Sequence, residues 1–88
     1  MAQINEEMIK ELMAEGLLEN KRIHKAFEDV DRADFIPQKK RQWAYVNYPI
    51  EIEDGQSISQ PWTVAFMTEA LDAGEGMKVL EIGSCSGY

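Results

Sequence analysis

Residues that cross-link or ligate are nearly missing from this 88-residue chain. It has one cysteine, Cys85, and one histidine, His24. An intrachain disulfide is therefore excluded, and no Cys or His partner stands at metal-ligand spacing. His24 lies in a helical stretch, where a surface or partly packed imidazole is the expectation. No apolar run approaches the ~20 residues of a membrane span. The start, MAQINEEMIKEL, lacks the basic-then-apolar order of a signal peptide, so a cytoplasmic protein is expected. Positive charge is scarce: 9 Lys and Arg face 16 Asp and Glu, for a net charge of −7. Affinity for nucleic acid comes largely from cations that neutralise phosphates, so neither nucleic acid nor membrane is an expected partner. The single basic cluster, QKKRQW at 38–43, reads as a solvated loop or short helix. A chain this small buries only about 60–65% of its unfolded surface, which leaves room for one small domain.

What is present is mostly helical in texture. Ile4, Met8, Ile9, Leu12 and Met13 recur at helical spacing and predict one apolar stripe. Asn5 is the expected N-cap, Glu6 and Glu7 suit the positive first turn, and Ile4 with Ile9 would close a hydrophobic staple. Gly16 fits the left-handed residue beyond the helix end. Asn20 is expected to cap a second helix with Ile23, Ala26, Phe27 and Val30 on one face, ended before Pro37. From Trp43 to Ile52 aromatic and β-branched residues take over, and Pro49 and Asp54-Gly55 divide them into short extended pieces. Helical spacing returns through Val64, Phe66, Met67, Ala70 and Leu71, with Pro61 at the first helical position and Gly74 and Gly76 ending the helix. MKVLEI, residues 77–82, then reads as a strand buried on both faces. There is no internal repeat, low-complexity segment or linker.

The strand leads into Gly83-Ser84-Cys85-Ser86-Gly87, a turn whose glycines permit positive φ and close approach of a ligand to the backbone. VLEIGSCSG, with Glu81 two residues before Gly83, resembles the first motif of Rossmann-like S-adenosylmethionine-dependent methyltransferases. Upstream, YPIEIEDGQSISQPWTVAFMTEAL is similar to the segment before that motif in protein-L-isoaspartate O-methyltransferases. The family's Gly-Gln-Thr/Ser-Ile-Ser-x-Pro signature is matched by Gly55, Gln56, Ser57, Ile58, Ser59 and Pro61. FEDVDRADFIP and QWAYVNYPI resemble the same family's helical N-terminal segment, so the likeness covers nearly the whole chain.

The resemblance implies an α/β fold in which an N-terminal helical segment leads into the first strand of a Rossmann-like methyltransferase domain, incomplete in this chain. Residues 1–76 would be the helical segment with its substrate and cofactor loop, and residues 77–88 the first strand and glycine turn. It implies a cytosolic repair enzyme that moves a methyl group from S-adenosylmethionine to the carboxylate of L-isoaspartyl residues in damaged proteins or peptides. Ser59 would be the catalytic residue. Ser57, Ile58, Ser59, Gln60, Glu81, Gly83, Ser84 and Cys85 would bind the cofactor. No metal is implied.

Local chemistry accompanies this. Pro61 biases Gln60 toward extended geometry, which suits the cap position, and leaves Ser59 just outside a helix N-terminus able to hold a carboxylate. The plain alternative for Ser57 or Ser59 is a helix cap. Glu81 reads equally as a strand-end acid bonding the turn or as a polar anchor beside the cofactor. Cys85 departs from the family's third glycine, and its Cβ would crowd the cofactor or strain the turn.

The 88 residues are shorter than a Rossmann-like methyltransferase, which needs more parallel strands. They are therefore expected to be the N-terminal part of such an enzyme and inactive alone, and the unpaired strand edge invites association with a second copy. The rival from another class is a non-enzymatic helical module that oligomerises through its C-terminal strand.

Overall fold

The first helix, α1, runs over Asn5–Ala14 in a computed structural model that describes residues 4–52, 55–83 and 85–88. Its cap register differs by one residue from expectation: Ile4, not Asn5, is the N-cap. Ile4 has no side-chain acceptor, and its backbone N–H donates to Glu7 Oε1 at 3.3 Å. Asn5 instead sends its Nδ2 to the carbonyl of Phe27, 2.9 Å away, and so ties α1 to the next helix. Met8, Ile9 and Leu12 are buried as the stripe predicts, but Ile4 and Met13 are exposed, so no staple closes. The helix ends as its glycine foretells. Gly16 has φ +86, its N–H reaches the Met13 carbonyl, and the Leu17 N–H reaches the Leu12 carbonyl, which together satisfy the last carbonyls in a Schellman arrangement.

Helix α2 covers Lys21–Asp29, and Asn20 caps it as expected, its side chain accepting from the amides of Arg22 and Ile23. Its buried face is narrower than the spacing predicts: Ile23 and Phe27 are buried, whereas Ala26 and Val30 are exposed. The chain then tightens into two 3₁₀ turns, Arg32–Phe35 and Gln38–Trp43. The second is the basic cluster, and it is largely solvated, with Lys40 Nζ donating to the carbonyl of Glu51 at 2.5 Å.

Strands β1 (Ile50–Glu51) and β2 (Ser57–Ile58) form a two-stranded antiparallel hairpin with Ile50 opposite Ile58 and Glu51 opposite Ser57. Gly55 turns it at φ +75, and Asp54 of the expected turn pair lies outside the described residues. Helix α3, Pro61–Leu71, begins at its proline as anticipated. It ends three residues before Gly74, because Asp72 takes the left-handed position at φ 51 that a glycine was expected to fill. Ala65 and Pro61 are buried and Val64 is half-buried, but Phe66, Met67, Ala70 and Leu71 face outward.

The protein is thus a mixed helical structure with one small sheet. Two apolar clusters support it. One joins α1, α2 and Ala65 of α3; the other gathers Ile36, Ala44, Ile50 and Ile58 under the hairpin. Tyr45 and Tyr88 pack against both. A third tie is polar: Glu69 of α3 accepts from the amides of Leu18 at 2.6 Å and Asn20 at 3.1 Å, holding the α1–α2 loop.

Residues 77–82 are not a strand, which corrects the sequence expectation. A strand exists only when a neighbour answers its N–H and C=O groups, and β1 with β2 is the one strand pair among the described residues. Leu80 and Ile82 are 87% and 90% exposed, and Met77 and Val79 are exposed as well.

Candidate functional site

The hairpin and the third helix present one wall of a site. In β2 alternate residues face opposite ways, so Ile58 is buried in the second cluster while Ser57 is exposed. Two residues on, Pro61 opens α3. Gln60 stands at the N-cap with extended backbone (φ −61, ψ 152) and makes no side-chain cap bond. Neither serine is the cap. Asn47 serves there instead, its Oδ1 accepting from the Trp62 amide at 3.0 Å. That bond occupies one of the amides that the sequence reading set aside for a substrate carboxylate. Ser59 is left exposed between β2 and the helix.

The opposing wall is the turn at 81–88. Gly83 and Gly87 have φ +76 and +92, as the glycine spacing foretells. Cys85 also adopts a left-handed backbone, φ +54, where a Cβ is disfavoured by roughly 1–2 kcal/mol. Its Sγ lies 3.6 Å from Gln56 Oε1, a link between the two walls.

Between them is a cavity of about 300 Å³. Ser57, Ile58 and Ser59 line it on one side, Glu81, Gly83 and Cys85 on the other. The structure therefore brings together six of the eight residues singled out for the site. Gln60 is not in the lining, and Ser84 lies outside the described residues. Thr63, Val64, Met67 and Thr68 complete the α3 side, and Ile82, Ser86 and Tyr88 the turn side. In the sequence Val64 and Met67 mark only a helical spacing. Their helical spacing with Thr68 was the available signal, but spacing alone does not say whether a face meets a core or a cavity.

Two polar atoms of this lining, Ser86 Oγ and Tyr88 Oη, are buried without a hydrogen-bond partner. Behind Tyr88 stands Arg32, which sequence reasoning missed altogether. Arg32 is 0% exposed; its Nε donates to the carbonyl of Ala44 at 2.7 Å, and its guanidinium carbon lies 5.3 Å from the centre of the Tyr88 ring. Burial pulls the guanidinium below its usual pKa, with Tyr88 opposing the shift. Burial likewise pushes the Tyr88 phenol up to about 12, with Arg32 opposing. Nearby, Tyr45 donates its hydroxyl to Asp31 Oδ1, and burial first, then that carboxylate, raises the Tyr45 phenol well above its ordinary range.

A glycine turn and a serine-bearing loop thus face each other across one cavity, with part of α3 completing its lining. The family is established by comparison: the protein-L-isoaspartate(D-aspartate) O-methyltransferase (PCMT) model matches residues 2–88, and the chain belongs to that family. It is 49% identical over 82 residues to the protein-L-isoaspartate O-methyltransferase of Parvibaculum lavamentivorans, covering 93% of this chain and 36% of the relative. It is 42% identical to the enzyme of the same name in Methanothermobacter thermautotrophicus, covering 92% of this chain and 37% of that one. The match to the Ignicoccus hospitalis relative, also 42% identical, takes in 100% of this chain and 42% of the relative. The chain thus spans about two-fifths of the length of the curated relatives it matches. The rival reading of a non-enzymatic helical module finds no support in these matches. No helix among the described residues is long and apolar enough to cross a membrane.

Proposed function

We propose that these residues form the N-terminal part of a cytoplasmic repair methyltransferase acting on L-isoaspartyl residues of damaged proteins, with S-adenosylmethionine as methyl donor. Residues 77–88 would then be the start of a Rossmann-like domain whose further strands pair with 77–82. The observation that carries the proposal is the convergence of residues 57–59 and the glycine turn on one cavity, in a chain of this family.

The lining suits such a cofactor. Ile58, Val64, Met67 and Ile82 offer apolar surface, and Ser86 Oγ and Tyr88 Oη are buried polar groups lacking partners. Glu81, exposed at the rim, is a candidate to accept from a cationic or hydroxyl group of the ligand. Ser57, Ile58, Ser59, Glu81, Gly83 and Cys85 would hold the cofactor, which would supply an electrophilic sulfonium methyl group for a substrate carboxylate. A carboxylate is already ionised near neutral pH, so the protein has no proton to remove and its task is alignment. Ser59, exposed beside the helix N-terminus, would donate to the substrate carboxylate. The apolar wall from α3 limits water.

The test is methyl transfer to an isoaspartyl peptide. Full-length protein containing this segment should label the peptide, and the 88-residue chain alone should not. Ser59→Ala in the full-length protein should lower kcat by roughly 10- to 100-fold with the cofactor KM little changed. Equal loss in both constants would move Ser59 from substrate alignment to cofactor binding. An unlabelled peptide with the full-length protein would refute the proposal.

A further inference from the structure

We propose that Arg32 is a positioning residue for the cavity, holding the glycine turn against residues 57–59 through the face of the Tyr88 ring. The inference deepens the cofactor reading above and rests on it for its functional consequence.

The turn needs an anchor. From Met77 to Gly83 the backbone lies outside any sheet, and its apolar side chains face solvent. Tyr88 is where this stretch enters the protein. Its ring packs edge-on to Phe27 with centroids 6.3 Å apart, and tilted against Phe35 at 5.4 Å. It is among the residues that touch both apolar clusters, and it also lines the cavity.

Arg32 is the one charged residue among the described residues that is buried. Burying a charge is costly unless it is well paired, and Arg32 Nη1 and Nη2 have no hydrogen-bond acceptor. A leucine or methionine would fill the same space at lower cost. What an apolar residue cannot provide is direction. The guanidinium is held at one end by the Ala44 carbonyl and faces the Tyr88 ring with the other, and a cation over a ring face has a preferred placement. Ala44 adjoins Tyr45, which is itself bonded to Asp31, the residue before Arg32. The pair Asp31-Arg32 thus holds the Tyr45 side chain with one member, and both the Ala44 carbonyl and the Tyr88 ring with the other. The position of the turn is specified by contacts that a merely apolar plug would leave loose.

Full-length protein carrying Arg32→Met, Tyr88→Phe or Tyr88→Leu tests this by two readouts. The first is amide hydrogen exchange without ligand; the second is calorimetric binding of S-adenosylhomocysteine. Arg32→Met should speed exchange in 83–88 by roughly 2- to 30-fold, the range that a cation–π contact converts to, while 5–14 and 21–29 stay as in the wild type. Binding should weaken by a similar factor. Tyr88→Phe keeps the ring and should preserve the protection of the turn, whereas Tyr88→Leu should lose it. Unchanged exchange in the turn, or exchange uniformly faster across the chain, would overturn the proposal. Should Arg32→Met not fold, the Phe and Leu variants decide: equal turn protection in the two would refute it. Wild-type protein that binds no S-adenosylhomocysteine would sink the cofactor reading, and the exchange comparison would still judge Arg32.

Discussion

The described residues of 4–71 are less rich in apolar side chains than residues 77–82, yet the first stretch is packed and the second is not. In the first, Met8, Leu12, Ile23, Phe27 and Ala65 bury against one another because three helices supply faces to each other. In the second, Val79, Leu80 and Ile82 find no face, and the backbone finds no strand. Apolar content therefore does not make an element; a neighbour does. A helix satisfies its own backbone and needs a partner for only one stripe, whereas a strand depends on others for both hydrogen bonds and burial.

The sharpest way to break this contrast is to truncate one leucine on each side. Leu12→Ala should cost about 2–5 kcal/mol in urea denaturation, as a large-to-small change in a packed cluster does. Leu80→Ala in the same chain should stay within about 0.5 kcal/mol, because the side chain is already in water. A large loss at Leu80 would mean that 77–82 has a partner in solution. Were that partner a second copy, sedimentation at high concentration would show a dimer that Leu80→Lys returns to monomer.

Next in size is Glu69→Gln, which should cost about 1–3 kcal/mol by weakening the charge-assisted bonds to the amides of Leu18 and Asn20. Denaturation midpoints measure it, and exchange of those two amides should quicken more than that of α1.

Smaller is a pH effect at Tyr88. Its folded pKa of about 12 exceeds the ordinary 10.0, so the folded state holds the proton more tightly. The resulting stability is complete below about pH 10 and falls away as pH rises toward 12. Tyr88→Phe should remove that part of the decline, visible as a smaller drop in the urea midpoint between about pH 9 and about pH 11.5. An identical decline in both proteins would place Tyr88 in solvent.

The smallest expected change is Cys85→Gly, a gain of about 1 kcal/mol in turn ordering from relief of the left-handed backbone. Calorimetry with S-adenosylhomocysteine on the full-length protein should show modestly tighter binding. Weaker binding would mean that the Cys85 side chain contributes a contact.

The helices were legible because they rest on local rules. Asn20, Gly16 and Pro61 each mark a helix end by chemistry confined to a few residues. The signature around Ser57 and Ser59, and the glycine turn, stood out by pattern. What escaped depends on residues far apart in the chain. Nothing near Glu69 announces that its carboxylate will hold a loop 49 to 51 residues away. Arg32, between two aspartates, reads as a surface charge until Ala44 and Tyr88 arrive around it. The strand at 77–82 failed for the same reason reversed: its local pattern was right, and the long-range partner it needs is not among the described residues.

The Glu69 tie also has a kinetic meaning. Its two bonds close loops of 49 and 51 residues, so their chain-entropy cost is met only once α3 docks on the other two helices. The helical pair α1 and α2, joined by a short loop and the Asn5–Phe27 bond, can form early from near neighbours. Substitutions at Glu69 should therefore leave the folding rate almost unchanged and speed unfolding, whereas substitutions at Leu12 should slow folding. The loop between α1 and α2 acts as a latch set last, and the lifetime of the folded state is governed by how long Glu69 keeps it shut.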